Sequence, residues 1–430
     1  MTLPTVQYPP PPMPENWVQV ELLETAGLTH QYMVQYANLN ATIFYNQVGS
    51  WTCVIPYTDA LWSYIMAGEF VIEVNWRGMF TFGGKCEQAM YSDSIPNSTS
   101  GSNSAGGGMF GPFISLSGSD YLAILANRIC YPDPTKAWAS QTATSKDTVT
   151  SVPLETAIKH FVNMNVGPGA LASRRHPLLT IAADQGRGPK VTYTVKFGTS
   201  NSLNLMDVVR ALIAQGGQHM GVTIGYNANS TGLVFDCYVP ADKTATAWFS
   251  ESLGNLMSVD FALTDPTCTD ALAQGASPML LPNGNPDPAG NPFVQVSGTG
   301  ITPWNKVEQY IDSTSETDKD NLQTSAADAI FTGQQGPVLD SSAIDTPYLI
   351  YGRDYHLGDK VSVEVRDGDI YQDIISSVVF VADPNQVPIM STVPVIGNPS
   401  DAQSTDKNVI NQLLARIRNL EKKLATKGKI

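Results

Sequence analysis

Charged residues, cysteines and long apolar runs are all scarce in this sequence. Only 15% of the 430 residues are Asp, Glu, Lys or Arg. The cysteines are odd in number and scattered, and none stand in C-x-x-C spacing. This pattern is typical of small buried hydrophobic residues in a protein made in a reducing cytoplasm. The five are Cys53, Cys86, Cys130, Cys237 and Cys268.

The sequence also lacks membrane signals and an excess of basic charge. No apolar stretch is long enough to span a bilayer, and the N-terminal MTLPTVQYPPPPMPENW has neither the basic nor the apolar region of a signal peptide. With 25 Lys and Arg against 39 Asp and Glu, the net charge is −14. The missing apolar stretch argues against stable membrane insertion, and repulsion of phosphate disfavours specific nucleic-acid binding and tight binding to an anionic membrane. The negative charge is still compatible with a surface along which DNA moves without binding.

Glycine, proline and small polar residues are abundant instead. The 35 Gly and 29 Pro favour many turns over long helices, so we predict a mainly β protein that buries much of its surface in an assembly. Helical periodicity at residues 152–165 and 203–217 predicts an α+β middle region. Residues 1–16 form a proline-rich arm of extended, polyproline type, either a disordered tail or a strap docked on a neighbour.

Motifs for catalysis are missing. The sequence contains no G-x-S-x-G elbow, no Walker A loop, no HExxH and no Rossmann glycine fingerprint. Its five histidines are far apart and have no metal-type partner four residues on. We therefore predict a protein that is not an enzyme and that has no cofactor and no metal. A pair of carboxylates brought together only by folding stays open.

Basic residues concentrate in the segment RRHPLLTIAADQGRGPKVTYTVKF, residues 174–197. Such a patch could contact phosphate, but no aromatic stacking platform accompanies it. We favour salt bridges to the many carboxylates, within or between subunits. The basic residues are Arg174, Arg175, Arg187, Lys190 and Lys196.

One pattern occurs twice. GEFVIEVNWRG starts at Gly68 and GDKVSVEVRDG starts at Gly358. Each places an acid after the first glycine, a valine at the fourth position and a hairpin glycine at the eleventh. The repeat predicts two similarly built β domains that bracket the middle region.

Several segments resemble the siphophage minor tail proteins, the baseplate-hub or tail-tip proteins of phages that infect actinobacteria and other Gram-positive bacteria. The basic segment at 174–197, with its Gly-Arg-Gly, is similar to that family, as is the strand GLVF at 232–235. FSESLGNL at 249–256 matches the family's Phe-Ser-x-x-Leu-Gly-Asn-Leu, and LGDKV at 357–361 matches its Leu-Gly-Asp-x-Val. The resemblance covers roughly residues 20–385 in the right order.

The resemblance implies a structural hub at the end of the tail tube, in the virion's tail tip. Similar hubs are homotrimers with two tube-like β-barrel domains per chain, which adapt a hexameric tube to a trimeric tip and line the DNA path. The implied partners are distal tail or tube proteins, tip or fibre proteins and the tape measure. The predicted domains are a tube-like β-barrel at 17–149, the α+β middle at 150–275 and a second β domain at 276–400. The arm at 1–16 and a terminal helix at 403–427 lie outside the resemblance and are predicted from their residues alone.

The C-terminal VINQLLARIRNLEKKLATKGKI carries an apolar seam of heptad spacing. A helix this short is marginal alone in water, so its stripe needs a partner, either its own chain or other copies. Flanking charges and an Arg-apolar-x-x-apolar-Glu pattern favour a coiled coil over packing on its own chain. The Ile and Leu residues of the seam by themselves favour a dimer, so the prediction of a parallel three-stranded coiled coil rests on that pattern and on the hub resemblance. The predicted oligomerisation residues are Ile410, Leu413, Arg416, Ile417, Leu420, Glu421 and Leu424.

Two rival functions remain from the sequence. One is a tail-associated cell-wall hydrolase, against which the missing motifs argue. The other is a receptor- or glycan-binding tip module, which would need exposed aromatic residues. The tryptophans that stand in strand or helix patterns argue against it, because those patterns predict core positions. They are Trp17, Trp51, Trp62 and Trp76.

Overall fold

The computed structural model describes most of the chain between residues 17 and 397. The described ranges are 17–93, 112–197, 203–216, 220–227, 232–263, 266–277, 291–312, 319–333, 337–366, 368–384 and 389–397. The proline-rich arm at 1–16 and the predicted coiled coil at 403–427 lie outside them.

The first part of the chain is a set of antiparallel strands with two short helices. In strand β4, alternate residues face the core, and Trp51, Cys53 and Ile55 are buried while their neighbours point outward. This period of two is the signature of a strand with one covered face. The elements are β1 Val18–Glu24, β2 His30–Val34, β3 Asn38–Phe44, β4 Gln47–Pro56, α1 Asp59–Ala67, β5 Phe70–Trp76, β6 Phe80–Ser92, β7 Phe113–Ser119 and α2 Ala123–Ala126.

The middle of the chain contains both predicted helices. Helix α4 begins after Asn204, whose side chain accepts hydrogen bonds from the backbone N–H groups of Met206 and Asp207. Both helices pack on two small sheets, β8 with β10 and β11-β12-β9. The elements are β8 Lys146–Pro153, α3 Leu154–Asn165, β9 Leu179–Ile181, β10 Lys190–Lys196, α4 Leu205–Gln215, β11 Gly221–Asn227 and β12 Gly232–Tyr238.

The last part of the chain returns to strands, so the prediction of a mainly β protein is confirmed. Its single long helix, α5, lies within the described residues between two strands. The elements are β13 Trp248–Phe249, β14 Leu256–Leu263, β15 Asp270–Gln274, β16 Phe293–Ser297, β17 Glu308–Asp312, α5 Lys319–Thr332, β18 Pro337–Ala343, β19 Lys360–Arg366, β20 Asp369–Ala382 and β21 Met390–Gly397.

One 13-stranded sheet contains strands from both the first and the last described parts of the chain. Its order is β14-β18-β21-β20-β3-β4-β7-β6-β5-β1-β2, with β19 and β13 attached beside β20. The junction is the antiparallel pair of β20 and β3, where Ser377 lies opposite Phe44 and Ala382 opposite Leu39. A single hydrophobic core therefore contains residues from both of these parts. The division into domains at 17–149, 150–275 and 276–400 stays a prediction, but the two predicted β regions share this sheet.

A small unit is inserted between two neighbouring strands of that sheet. β14 and β18 pair antiparallel, with Leu263 opposite Pro337. The chain between them forms the sheet β16-β15-β17, which α5 covers on one face. The core of this insertion is small and includes Ala271, Val294 and Leu322. The insertion thus has its own core, separate from the large sheet.

Candidate functional site

The predicted oligomerisation residues lie outside the described residues, so the structure does not test the coiled coil. Ile410, Leu413, Arg416, Ile417, Leu420, Glu421 and Leu424 all belong to residues 403–427. The functional features that the structure describes are those that hold the large sheet and the middle region together. They include every motif that carried the family resemblance.

The repeated sequence pattern corresponds to two hairpins of the same build. In the first, the seven-residue β5 turns at Arg77 and Gly78, both at positive φ, into the 13-residue β6. In the second, the seven-residue β19 turns at Gly368, also at positive φ, into the 14-residue β20. Positive φ is the backbone region that favours glycine. The repeat is therefore present in the fold as well as in the sequence.

Both long strands also change partners at the same place. β6 pairs first with β5 and then with β7, and β20 pairs first with β19 and then with β3 and β21. In its second pairing each strand has a bulge, at Glu87 in β6 and at Ser376 in β20. Each bulge comes seven positions after the first residue of the strand, Phe80 or Asp369. Because a bulge bends and twists its strand, both hairpins redirect their long strand alike.

An aromatic cluster ties the two hairpins together. The ring of Phe380 in β20 lies 5.0 Å from Trp76, 5.0 Å from Phe80 and 5.2 Å from Phe82, measured between centroids. Tyr351 adds a fourth neighbour at 5.5 Å. Aromatic pairs at these separations stabilise beyond the area that they bury. The two halves of the large sheet thus share one core.

A buried ion pair makes the same connection at the turn of the first hairpin. The Arg77 guanidinium lies 3.1 Å from the Asp345 carboxylate, and both side chains are nearly buried. Asp345 also accepts hydrogen bonds from the Tyr355 hydroxyl at 2.6 Å and the Tyr351 backbone N–H at 3.1 Å. Burial raises the pKa of Asp345, while these donors and Arg77 oppose the rise.

The Leu-Gly-Asp motif joins the middle region to the large sheet. Gly358 has a φ of 85°, and a Cβ there would lie 2.4 Å from the Tyr45 ring. The Asp359 carboxylate accepts from the backbone N–H of Ala241 at 2.7 Å. The Leu357 carbonyl accepts from the Tyr238 hydroxyl at 3.1 Å. All three motif residues therefore have structural roles at the joint that follows β12.

The Phe-Ser-x-x-Leu-Gly-Asn-Leu motif forms the turn between β13 and β14. The Asn255 side chain accepts from the Ser250 N–H at 2.9 Å and donates to the Trp248 carbonyl at 2.8 Å. The Ser250 hydroxyl accepts from the Leu253 N–H at 3.1 Å, and Gly254 has positive φ. These contacts close the turn upon itself. The motif is thus a connection between strands of the large sheet.

The Gly-Arg-Gly motif places Arg187 in a buried network, so the predicted salt bridge is confirmed for this residue. The guanidinium contacts the fully buried Glu155 carboxylate twice, at 2.9 Å each, and the Lys159 ammonium contacts it at 2.7 Å. Lys159 reaches Asp236 at 2.9 Å. The Arg187 hydrogen bonds lower the pKa of Glu155 well below its usual value, although burial acts in the opposite direction.

Arg174 is bound differently from Arg187. Its guanidinium carbon lies 3.5 Å from the centre of the Tyr131 ring, a cation–π contact. One of its nitrogens donates to the Asn165 side chain at 3.0 Å. Arg175 donates to the Ala170 carbonyl at 3.2 Å. These partners are neutral groups of the same chain, so only part of the basic segment makes salt bridges.

Sequence reasoning missed a buried acid, Glu73, at the joint between the large sheet and the middle region. It is 5% exposed, lies opposite Glu21 on β1, and one of its oxygens has no hydrogen-bond partner among the described residues. The Tyr121 hydroxyl donates to the other oxygen at 3.1 Å. Burial raises the pKa of Glu73 to about 8. No motif marks this residue, because its burial results from tertiary packing.

The aromatic residues include the four tryptophans that the sequence predicts to be core and two highly exposed rings for which it makes no prediction. Trp51 and Trp76 are buried, and Trp17 and Trp62 are partly buried, in agreement with core or near-core positions. The sequence reasoning did not single out the large aromatic residues that the structure exposes most. They are Trp304, 98% exposed, and Tyr348, 92% exposed.

One cavity is lined by residues of both the middle region and the large sheet. A cavity of about 560 Å³ separates β11 and β12 from the large sheet, and its lining includes Phe44, Phe82, Ile224 and Tyr238. In the described ranges, no three or more His, Cys, Asp or Glu side chains come together in a way that could hold a metal ion. Nor do those ranges include a helix long and apolar enough to cross a membrane.

Solved structures identify the class of fold. The chain is similar to the 43 kDa tail protein of prophage MuSo2 from Shewanella oneidensis, with 13% identity, a TM-score of 0.50, and 89% of this chain and 98% of that chain covered. It is also similar to a tail protein from Neisseria meningitidis MC58, with 12% identity, a TM-score of 0.51, and coverage of 89% and 96%. The fold is that of phage tail proteins.

The family follows from the sequence match. The chain belongs to the Siphovirus ReqiPepy6 Gp37-like protein family, whose model matches residues 20–398. The resemblance to siphophage tail proteins is therefore confirmed. A comparison with curated proteins gave no match.

Proposed function

We propose that the protein is a structural hub of the tail tip or baseplate of a long-tailed phage, a homotrimeric adaptor between the tail tube and the tip or fibre proteins. The observation that carries this proposal is the doubled hairpin. Two hairpins of the same build, each with a long strand that bulges seven positions from its start, stand in one sheet. Three such chains present six similar units, which suits a contact between a sixfold tube and a threefold tip.

The charge of the chain supports a hub that lines the DNA path without binding DNA. Three chains carry 3 × (−14) = −42 formal charges. A negative wall repels phosphate, so DNA passes without being held. The family motifs support a structural role. Gly-Arg-Gly contributes to a buried ion pair, Leu-Gly-Asp to a joint between regions, Phe-Ser-x-x-Leu-Gly-Asn-Leu to a turn, and GLVF to strand β12.

Residues 403–427 are proposed to form the three-stranded coiled coil that ties the hubs together at their C-termini and leads towards the next tip protein. Multi-angle light scattering of the intact protein tests this arrangement and should give the mass of three chains. Leu420→Asp places a charge in the seam and should weaken the assembly, whereas Asn419→Asp, one position away, should leave it intact. A parent protein that stays monomeric or dimeric at concentrations where tails assemble would refute the trimeric hub.

A further inference from the structure

Tyr348 is an exposed aromatic side chain on a hydrogen-bonded turn between β18 and β19. Its ring is 92% exposed. Thr346 and Leu349 exchange two backbone hydrogen bonds across the turn, at 3.1 and 3.0 Å, and Arg353 donates to the Pro347 carbonyl at 3.2 Å. These hydrogen bonds thus hold the backbone of the turn, whereas the large ring that the turn carries is exposed to solvent. A ring on such a turn is suited to bind a partner, because little backbone conformational entropy remains to be lost on binding.

The described chain begins at Trp17, which is connected to this turn by two contacts. The Trp17 carbonyl accepts from the Arg77 N–H at 2.8 Å, and the Arg77 guanidinium binds Asp345 at 3.1 Å. Asp345 stands three residues before Tyr348. On the same side, Met79 is 38% exposed and lies against Gly352, four residues beyond Tyr348. Two contacts therefore connect the start of the described chain, through Arg77 and Asp345, to the segment that carries the exposed ring.

The length and composition of the arm fit this surface. The run Pro9–Pro12 comes five to eight residues before Trp17. At about 3.1 Å per residue in a polyproline II helix, it can reach about 16–25 Å from that point. Proline-rich segments bind exposed aromatic rings because their conformation is already formed and loses little entropy on docking. Apart from Glu15, the arm carries no charged side chain that docking would have to desolvate.

We propose that residues 9–14 of the arm dock on the Tyr348 turn of their own chain. The occupant is the chain's own arm, because two contacts connect the start of the described chain to the segment that carries the ring and because the arm has sufficient length. The arm would then cover Tyr348 and Met79 and fix the N-terminal edge of β1. This inference does not depend on trimer formation, and the arm lies outside the residues 20–398 that match the family.

Cross-linking of the full chain tests the inference. Pro12→Cys combined with Thr346→Cys should give an intrachain product with a short bismaleimide, found at single-chain mass and identified by peptide mass spectrometry. Adding Tyr348→Ser should lower its yield at least fivefold. The matched control pairs Pro12→Cys with Thr302→Cys on the other Thr-Pro-aromatic turn, which carries the exposed Trp304. This pair should react no better than the single variants.

Two results would overturn the inference. A product at twice the single-chain mass would place the arm on a second copy or another chain. Equal yields for the test and control pairs, or a yield that Tyr348→Ser leaves unchanged, would mean that the arm does not use this ring. Light scattering on the same samples reports the oligomeric state separately, so failure of the trimer and failure of the docking are distinguishable.

Discussion

The buried acid Glu73 should make the stability of the fold fall as pH rises through neutrality. Burial raises its pKa to about 8 from a usual value of 4.5. Between these two values the folded chain holds a proton that the unfolded chain has released. The free energy of unfolding therefore decreases as the pH rises through this window. The stability that the raised pKa of Glu73 contributes is fully present below pH 4.5 and is lost as the pH approaches 8. Replacing Glu73 with the neutral, isosteric Gln removes this dependence.

The size of the effect follows from the two pKa values. They differ by about 3.5, and each pH unit corresponds to 1.36 kcal/mol, so Glu73 accounts for a loss of up to about 5 kcal/mol between pH 4.5 and 8. At pH 5, Glu73→Gln should be within about 1 kcal/mol of the parent, since both side chains are then neutral. At pH 8.5 the variant should be the more stable by several kcal/mol. Tyr121→Phe should extend the parent's loss to higher pH, because the Tyr121 hydroxyl lowers the pKa of Glu73.

Urea unfolding, followed by tryptophan fluorescence at a series of pH values, measures the difference between parent and variant. Other titrating groups contribute equally to both proteins, so the difference isolates Glu73. The reasoning fails if parent and Glu73→Gln lose stability in parallel from pH 5 to 8.5. It also fails if the variant is the less stable of the two at high pH.

The remaining predictions concern the other joints and the charge of the chain. Glu155→Ala should lower the free energy of unfolding by about 3–5 kcal/mol, because Lys159 and Arg187 lose their buried partner; a loss below 1 kcal/mol in urea unfolding would contradict this. Gly358→Ala should lower the melting temperature in calorimetry, because a Cβ meets Tyr45 at positive φ, and an unchanged melting temperature would count against the joint. Duplex DNA should not bind at micromolar protein and physiological salt in a gel-shift assay, and a retarded band would refute a passive conduit.

The sequence by itself determined the secondary structure of much of this protein, through patterns among neighbouring residues. The strand runs, the helices α3 and α4 and the two hairpin turns all follow from periodicity and turn chemistry that involve neighbours in the chain. The salt bridge of Arg187 could also be expected, because an arginine between two glycines in an acidic chain meets a carboxylate readily. The family resemblance rested on motifs of the same local kind, which form a turn, a joint, a buried ion pair and part of strand β12.

Tertiary structure alone decided how these parts combine. The pairing of β20 with β3 brings together strands more than 300 residues apart, and each strand by itself is compatible with many partners. The insertion between β14 and β18 is invisible to periodicity, since its strands resemble any others. Burial of Glu73 and exposure of Tyr348 depend on which surfaces meet. A sequence sets the alternation of apolar residues along a strand, but the three-dimensional packing determines what covers each face.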